Sequence, residues 1–403
     1  MTAKRQNKSN KPQRIAVTKE PDEFVYAAAD VFFSSMQPDE ETSVDDPSGK
    51  KTKKRKASKG CCVRTANELN ERFGRDDMTR ERIYPLIWEA MRRNFVVMNA
   101  PIAENLSKSI IEKFNLGERI ESTNGAVTVV NVVGNTASRR VGEAAADSVV
   151  TLIDKVRKEK EARAIANGED PEKVRVHLGL GAGFTAMTLA DRLSTRFSAE
   201  TPKLMLHALT PGGYYFQKQQ NSPTSYFQRF FDKQFDVECQ GMFAPPIVGT
   251  DNYERLRVNP SLRANFTQRD DIDILVTSLA TAKDPHGLVR QYFIHLRENG
   301  HIDEDVVQSL EKQNWVGDVL FQPYSATQPI YPKTLRTVSL FNFQELVEFS
   351  NRPGKHVVVI GAPCGECHAS KASAILPLLK EPSMRLWTRL FIDRDAAIEL
   401  LHD

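Results

Sequence analysis

Three groups of residues have the types and spacing for chemistry. The first is the glycine turn in V-H-L-G-L-G-A-G-F-T, where Gly179, Gly181 and Gly183 separate an alternating apolar run from a helical one. Glycines there let the backbone approach a ligand with no Cβ in the way, and the unbonded N–H groups of the new helix point at whatever sits in front of it. That is a seat for an anion, to which Thr185 adds a hydroxyl. A tight strand–helix turn that binds nothing uses the same residues. Gly-x-Gly-x-Gly also differs from the dinucleotide fingerprint, which has another glycine spacing and an acidic residue about 20 positions later.

The second group is Cys364, Cys367 and His368, a Cys-x-x-Cys-His string that matches c-type haem attachment. The polar start M-T-A-K-R-Q-N-K has no apolar stretch to act as an export signal, which argues against haem. A structural zinc site takes four ligands. The further candidate is His356, but it begins the strand whose other end carries the cysteines, so neither metal nor cofactor is expected. The third group is Asp318, beside Gly317, with Lys371 near a helix start. A lysine there balances a phosphate charge and a carboxylate accepts from sugar hydroxyls. Acid–base catalysis needs a positioned acid or base. The glycine turn supplies none, and Asp318, Glu366 and His368 show no convincing pairing, so no catalytic residue is expected.

These residues need an α/β framework to bring them together. Val174, Val176, Leu178 and Leu180 alternate like a strand, and Ala186, Leu189, Ala190 and Leu193 follow at helical spacing. Further strands are K-L-M-L-H-A-L, D-I-D-I-L-V-T-S-L, H-V-V-V-I-G and L-W-T-R-L-F-I-D, with helices over Ser138–Val156, Glu304–Lys312, Asn342–Phe349 and Lys371–Leu379. Ser222 and Pro223 suit an N-cap and first turn. The alternation predicts a three-layer α/β domain with a mostly parallel sheet, whose ligands bind beyond the carboxyl ends of the strands. Strand ends then add Thr210, Gly212, Gly213, Ser278 and Gly361 to the candidate effector site of Gly181, Gly183, Phe184, Thr185, Asp318 and Lys371.

The N-terminal third reads differently. Residues 1–22 are polar and basic and are expected to be a disordered tail. A helix over Glu23–Met36 precedes a charged insertion, 37–60, acidic then basic and without apolar period. Two helices follow, Thr65–Phe73 closed by Gly74 and a second from a Thr79 cap to Arg93, and then a strand Phe95–Met98. This is the pattern of a winged helix-turn-helix over 23–100, with Arg80, Arg82, Tyr84, Arg92 and Arg93 as DNA-contact candidates. Pro85 lies beyond the first helical turn and is expected to kink the second helix. A linker helix with the stripe Ile102, Leu106, Ile110 and Phe114 opens the larger domain, 101–403.

Composition fits this division. The 403 residues are 40% apolar, enough for two or three globular cores. Net charge is only +3, but residues 1–60 hold 13 Lys or Arg against 9 Asp or Glu, which puts the basic excess at the N-terminus. No apolar run approaches the roughly 18 residues of a membrane span, and five cysteines in a large chain are expected as cytoplasmic thiols.

With these residues in view, the chain resembles the SorC family of sugar-responsive bacterial transcriptional regulators over about Glu23–Asp403, interrupted by the insertion. The marks, in order, are T-A-N-E-L-N-E-R-F-G-R-D-D-M-T-R-E-R-I-Y-P-L-I-W-E-A-M-R-R-N-F-V, L-G-L-G-A-G-F-T, M-F-A-P-P-I-V, D-I-D-I-L-V-T-S-L-A, N-W-V-G-D-V-L-F-Q-P-Y, R-T-V-S-L-F-N-F-Q-E-L and K-A-S-A-I-L. The resemblance implies an effector domain similar in fold to phosphosugar isomerases, a phosphorylated sugar bound without chemistry, double-stranded DNA as partner, and a homodimer or homotetramer. It assigns Gly181, Gly183 and Thr185 to the phosphate turn, Lys371 to the phosphate charge and Gly317-Asp318 to the family's Gly-Asp pair. Tyr84 and Pro85 depart from its DNA-reading helix, and G-A-P-C-G extends its last glycine pair. The alternatives are a phosphosugar isomerase-like enzyme, or a structural or protein-interaction protein that keeps the fold without binding DNA.

Overall fold

The computed structural model describes residues 19–34, 60–93, 95–117, 127–197, 201–212, 222–231, 236–302 and 306–403. The expected tail up to residue 18, the insertion 37–60 except Gly60, and Gly213 lie outside the described residues. The chain divides into two compact units between Met98 and Asn99.

The first unit packs three helices, α1 (Asp22–Ser34), α2 (Cys61–Phe73) and α3 (Arg80–Arg92), around Phe24, Ala28, Leu69, Ile83, Leu86 and Ala90. Gly74 ends α2 in a left-handed conformation, φ 61°, its N–H returning to the Asn70 carbonyl. Such a turn favours a residue without Cβ. Arg75 then ties the entry to α3, donating to Glu20 at 2.8 and 3.0 Å and to Asp77 at 2.7 and 2.8 Å.

Local expectations change at α2 and at the wing. Helix α2 begins at Cys61, ahead of Thr65, because Cys62 and Thr65 are both buried against the core. Helix α3 runs from Arg80 to Arg92 with Pro85 inside it, and the proline's missing N–H falls opposite Glu81, a residue exposed to water. The wing strand at Phe95–Met98 is absent: the N–H groups of Phe95 and Val96 turn back to the Ala90 carbonyl, and Phe95 packs edge-on against Tyr26.

The second unit is α/β. Its strands run in the order β1 (Val127–Val130), β11 (Arg389–Asp393), β10 (His356–Gly361), β6 (Ile274–Thr281), β2 (Val176–Leu180), β3 (Leu204–Ala208), β4 (Val237–Gln240), each parallel to its neighbour. The hairpin β7 (Gly317–Val319) and β8 (Gln322–Tyr324) adds antiparallel to the far end of β6. A separate pair, β5 (Ile247–Gly249) and β9 (Leu335–Thr337), is antiparallel. All six residues of β10 are buried, as a central parallel strand requires.

Helix α4 (Glu104–Lys113) precedes the first strand, α5 (Ala137–Ala166), α6 (Phe184–Arg196), α7 (Leu288–Glu298), α8 (Phe343–Ser350) and α9 (Ala372–Lys380) lie in connections between strands, and α10 (Arg394–His402) follows the last strand. Helix α5 outruns its apolar stripe, which ends at Val156. Its further turns carry ion pairs such as Arg157 with Asp154 at 2.8 Å and with Glu161 at 3.0 Å, spaced to meet on one helical face. Helix α8 opens with a full capping box between Asn342 and Glu345.

Imidazoles are buried in the sheet. His207 faces His177 across β2 and β3 at 3.0 Å, and His356 begins β10 with neither ring nitrogen bonded among the described residues. Burial pushes His207 and His356 down to about 4. Both are therefore neutral in the fold while their unfolded counterparts titrate near the ordinary value of 6.5, so the stability they confer is complete above that pH and is lost as pH falls towards 4. Urea unfolding between pH 6.5 and 4 should show His356→Leu with a flatter pH dependence than the unaltered chain, by about 1.4 kcal/mol per pH unit. Parallel pH profiles for the two would show that His356 is charged in the fold.

Candidate functional site

Beyond the carboxyl ends of β2, β6 and β10 lies a cleft of about 170 Å³. Of the candidate effector residues, Gly183, Phe184, Thr185, Ser278, Asp318 and Lys371 line it. Gly181, Thr210, Gly212 and Gly361 do not.

The reasons are steric. A Cβ on Gly181 would lie 2.7 Å from both Leu320 Cδ2 and Thr277 Oγ1, so this glycine makes room for the β7–β8 hairpin. Tyr226 donates its hydroxyl to the Gly181 carbonyl from the protein interior. Gly361 is packed under Ile375, whose Cδ1 would be 2.6 Å from an added Cβ. Thr210 is fully buried, and Gly212 bonds through its N–H to the Met242 carbonyl at 3.2 Å. Gly317, beside Asp318, is enclosed by Ala374, the Ala280 carbonyl and Tyr324.

Gly183 carries the turn. Its φ of 128° is one that residues with a side chain rarely adopt, and a Cβ would strike Ser278 Oγ. From there α6 starts with no side chain capping it, and its first residues, Phe184 and Thr185, line the cleft, at the end of a helix where N–H groups lack intrahelical partners. Ser278 donates to the Ala182 carbonyl at 3.2 Å, holding the turn to β6. Phe184 covers the second loop: its ring would be 3.0 Å from a Cβ on Gly365.

Opposite this helix end, the β7–β8 hairpin delivers Asp318, and its two turn residues, Leu320 and Phe321, both have positive φ, 47° and 62°. Both line the cleft. Asp318 is buried, and among the described residues its Oδ2 has no hydrogen-bond partner. Burial pushes its carboxyl up to about 7, against the pull of Lys371. Lys371 occupies the N-cap of α9, where the helix dipole disfavours a cation. Burial lowers it from the usual lysine range, opposed by Asp284, Cys364 and Asp318. The cleft thus holds one ammonium, one unbonded carboxylate oxygen and an uncapped helix end, all able to bind a hydroxylated anion.

The sequence reading missed Asp284 and His286. They sit after β6 in T-A-K-D-P-H-G, and the β6–β10 pairing sets them against the Cys364–Cys367 loop. The distances are 3.8 Å from Cys364 Sγ to His286 Nδ1, 3.4 Å from Cys367 Sγ to Asp284 Oδ1 and 3.5 Å from His286 Nδ1 to Asp284 Oδ1. His356, the earlier candidate partner of the cysteines, is buried at the other end of β10. Burial pushes the Cys364 thiol up to about 12, which leaves it a poor nucleophile. Asp318 and Glu366 reach the cleft, whereas His368 does not line it.

In the first unit, Arg80, Arg82 and Tyr84 are exposed on α3, beside Trp88. Arg92 and Arg93 are held by Glu89, through bonds of 2.8 and 2.5 Å from Arg92 and 2.7 Å from Arg93, and Arg93 also reaches Asp22 at 2.6 Å. Arg82 pairs with Asp77.

No protein-family model matches the chain, and no curated protein matches it. Solved structures do. The full-length sorbitol operon regulator SorC from Klebsiella pneumoniae superposes with a TM-score of 0.51 at 12% identity, over 83% of this chain and 93% of its own. A probable sor operon regulator from Shigella flexneri gives 0.51 at 12% identity, over 73% and 98%. A transcriptional regulator from Streptococcus pneumoniae TIGR4 gives 0.50 at 16%, over 74% and 96%. These proteins are transcriptional regulators, and at such identities the likeness is one of fold. The α/β unit and the helical unit before it thus have the fold of SorC-type transcriptional regulators.

Proposed function

We propose that this chain is a DNA-binding transcriptional regulator whose larger unit senses a phosphorylated sugar or a similar anionic metabolite without transforming it. The observation that carries the reading is the meeting of the Gly183 helix end, Lys371 and Asp318 in one cleft. The helix end and the ammonium take the phosphate, while the unbonded Asp318 oxygen accepts from a sugar hydroxyl. A buried ammonium at a helix N-terminus beside a carboxyl raised to about 7 is a costly arrangement in the empty protein. A ligand that pairs with both relieves that cost. Coupling to DNA requires that the ligand favour one arrangement of the subunits, in a homodimer or homotetramer. The fold likeness to regulators supports this reading over a phosphosugar isomerase. DNA contact falls to Arg80 and Tyr84 on α3, with Arg82 paired to Asp77 and Arg92 and Arg93 committed to Glu89. No described helix is long and apolar enough to cross a membrane, in keeping with action in the cytoplasm.

One observation favours a second reading, a protein-binding role without DNA: exposed α3 shows Tyr84 and Trp88, at 52% and 56% exposure, where phosphate contacts would need cations. DNA from around the chain's own gene separates the two. Sequence-preferring binding that weakens with salt supports the regulator; binding equal to random DNA at every salt concentration overturns it.

Variants of the first unit sharpen this. Arg80→Ala and Tyr84→Ala should weaken DNA binding at unchanged Tm, because both side chains are exposed. Arg93→Ala should instead lower the Tm, since it strips one partner from Glu89. A Tm loss in the first two, or none in the third, would contradict this division of roles.

The cleft makes a separate prediction. Lys371→Met should reduce affinity for the effector found in a sugar-phosphate screen by about 10–100-fold, the loss of one charged hydrogen bond. Asp318→Asn should raise the Tm of the ligand-free chain at pH 8, where the carboxyl raised to about 7 is ionised at a cost, while it lowers effector affinity. Calorimetry and thermal unfolding report the two quantities. Unchanged affinity in both folded variants would place the ligand elsewhere.

A further inference from the structure

We propose that Asp284, His286, Cys364 and Cys367 form a four-ligand zinc site on the rim of the cleft. One donor atom from each of the four lies within 4.8 Å of all the others. Tetrahedral zinc with bonds of about 2.0–2.3 Å has ligand–ligand edges of about 3.3–3.8 Å. Three of the six separations are 3.4, 3.5 and 3.8 Å and the others are no more than 4.8 Å, so contraction by about 1 Å or less closes these atoms around a metal. Two thiolates, one imidazole and one carboxylate suit zinc and are poorly matched to magnesium or calcium, which take oxygen ligands.

The fold explains why residues 78 and 83 positions apart meet. Strands β6 and β10 are adjacent and parallel, with Ser278 opposite Ile360, so their following loops leave the sheet side by side. Each loop is shaped by hydrogen bonds of its own. In the first, the Asp284 N–H bonds to the Thr281 carbonyl at 3.0 Å, and Asp284 Oδ1 accepts from the His286 N–H at 2.9 Å. In the second, the Cys364 N–H bonds to the Ala369 carbonyl and the His368 N–H to the Cys364 carbonyl, both at 3.1 Å. His368, the last letter of the Cys-x-x-Cys-His string, serves this turn with a φ of 58°.

A further contact has the form of a metal site's outer support. His286 presents Nδ1 to the cluster, and its other nitrogen, Nε2, lies 3.5 Å from Glu366 Oε2. A carboxylate behind a ligating histidine fixes the ring and its tautomer. On binding, each thiol loses its proton to solvent as its sulfur takes the metal, and the four protein ligands complete the coordination shell. Such a closed site is structural: it joins the two loops that carry Asp284, His286, Cys364 and Glu366 along the cleft.

The test uses the full chain, purified under reducing conditions and stripped of metal. Zinc returned to it should bind at about one ion per chain, and cobalt(II) should give thiolate charge-transfer absorption with the intense visible bands of a tetrahedral centre. Cys364→Ser, Cys367→Ser and His286→Ala should each remove those bands, and Cys239→Ser should keep them. Cys367 is exposed, so its variant folds even if that of buried Cys364 does not. In chelator competition, Glu366→Gln should weaken zinc by about tenfold. The proposal is overturned if the reduced chain binds neither metal, if the bands survive in folded Cys367→Ser, or if the cobalt spectrum is that of an all-oxygen octahedral ion.

Discussion

The parallel pairing of β2, β6 and β10 is the constraint on which the rest of the second unit depends. Because these strands point the same way, their carboxyl ends leave the sheet along one edge. The glycine turn, Ser278, the Asp284–His286 loop and the Cys364–Lys371 segment are therefore neighbours, though they span half the chain. The β7–β8 hairpin depends on it too: it pairs with the last residues of β6, Leu279, Ala280 and Thr281, and so carries Asp318 to the same edge.

Electrostatics at that edge is out of balance. One buried ammonium, Lys371, shares the cleft with Asp284, Asp318 and the more exposed Glu366. Burial disfavours every charge there, which is why Asp318 is raised while Lys371 is lowered. Natural cores rarely keep such groups without a pairing partner. The asymmetry is concentrated where backbone donors also converge, whereas the sheet beneath is buried throughout β10 and apolar from Val357 to Ile360.

What the sequence made legible was local. The strand before Gly181, the helix after Gly183 and the buried run His356–Gly361 each declare themselves by periodicity, and the structure forms each as β2, α6 and β10. Candidate-site membership was less legible, because a glycine at a strand end reads alike whether it faces a ligand or a packed side chain. Gly181 and Gly361 face Leu320 and Ile375. Strand order was also hidden: nothing in T-A-K-D-P-H-G says that its loop will stand beside C-G-E-C, and Asp284 and His286 went unremarked. On α3 the arginines read as free cations. Only the folded helix turns Glu89 towards Arg92 and Arg93 and occupies them.

The turn of the β7–β8 hairpin has a consequence for how this protein can change. Two-residue hairpin turns with both φ positive favour Asn and Gly, yet here they hold Leu320 and Phe321, whose buried side chains line the cleft, that of Leu320 also covering Gly181. Residues of this bulk in left-handed backbone carry a conformational cost, on the order of 1–3 kcal/mol each. Selection for heat resistance alone would drift these two positions towards Asn-Gly and strip the cleft of its wall. Their persistence in a population of variants would therefore register selection on what the cleft holds, separately from selection on the fold.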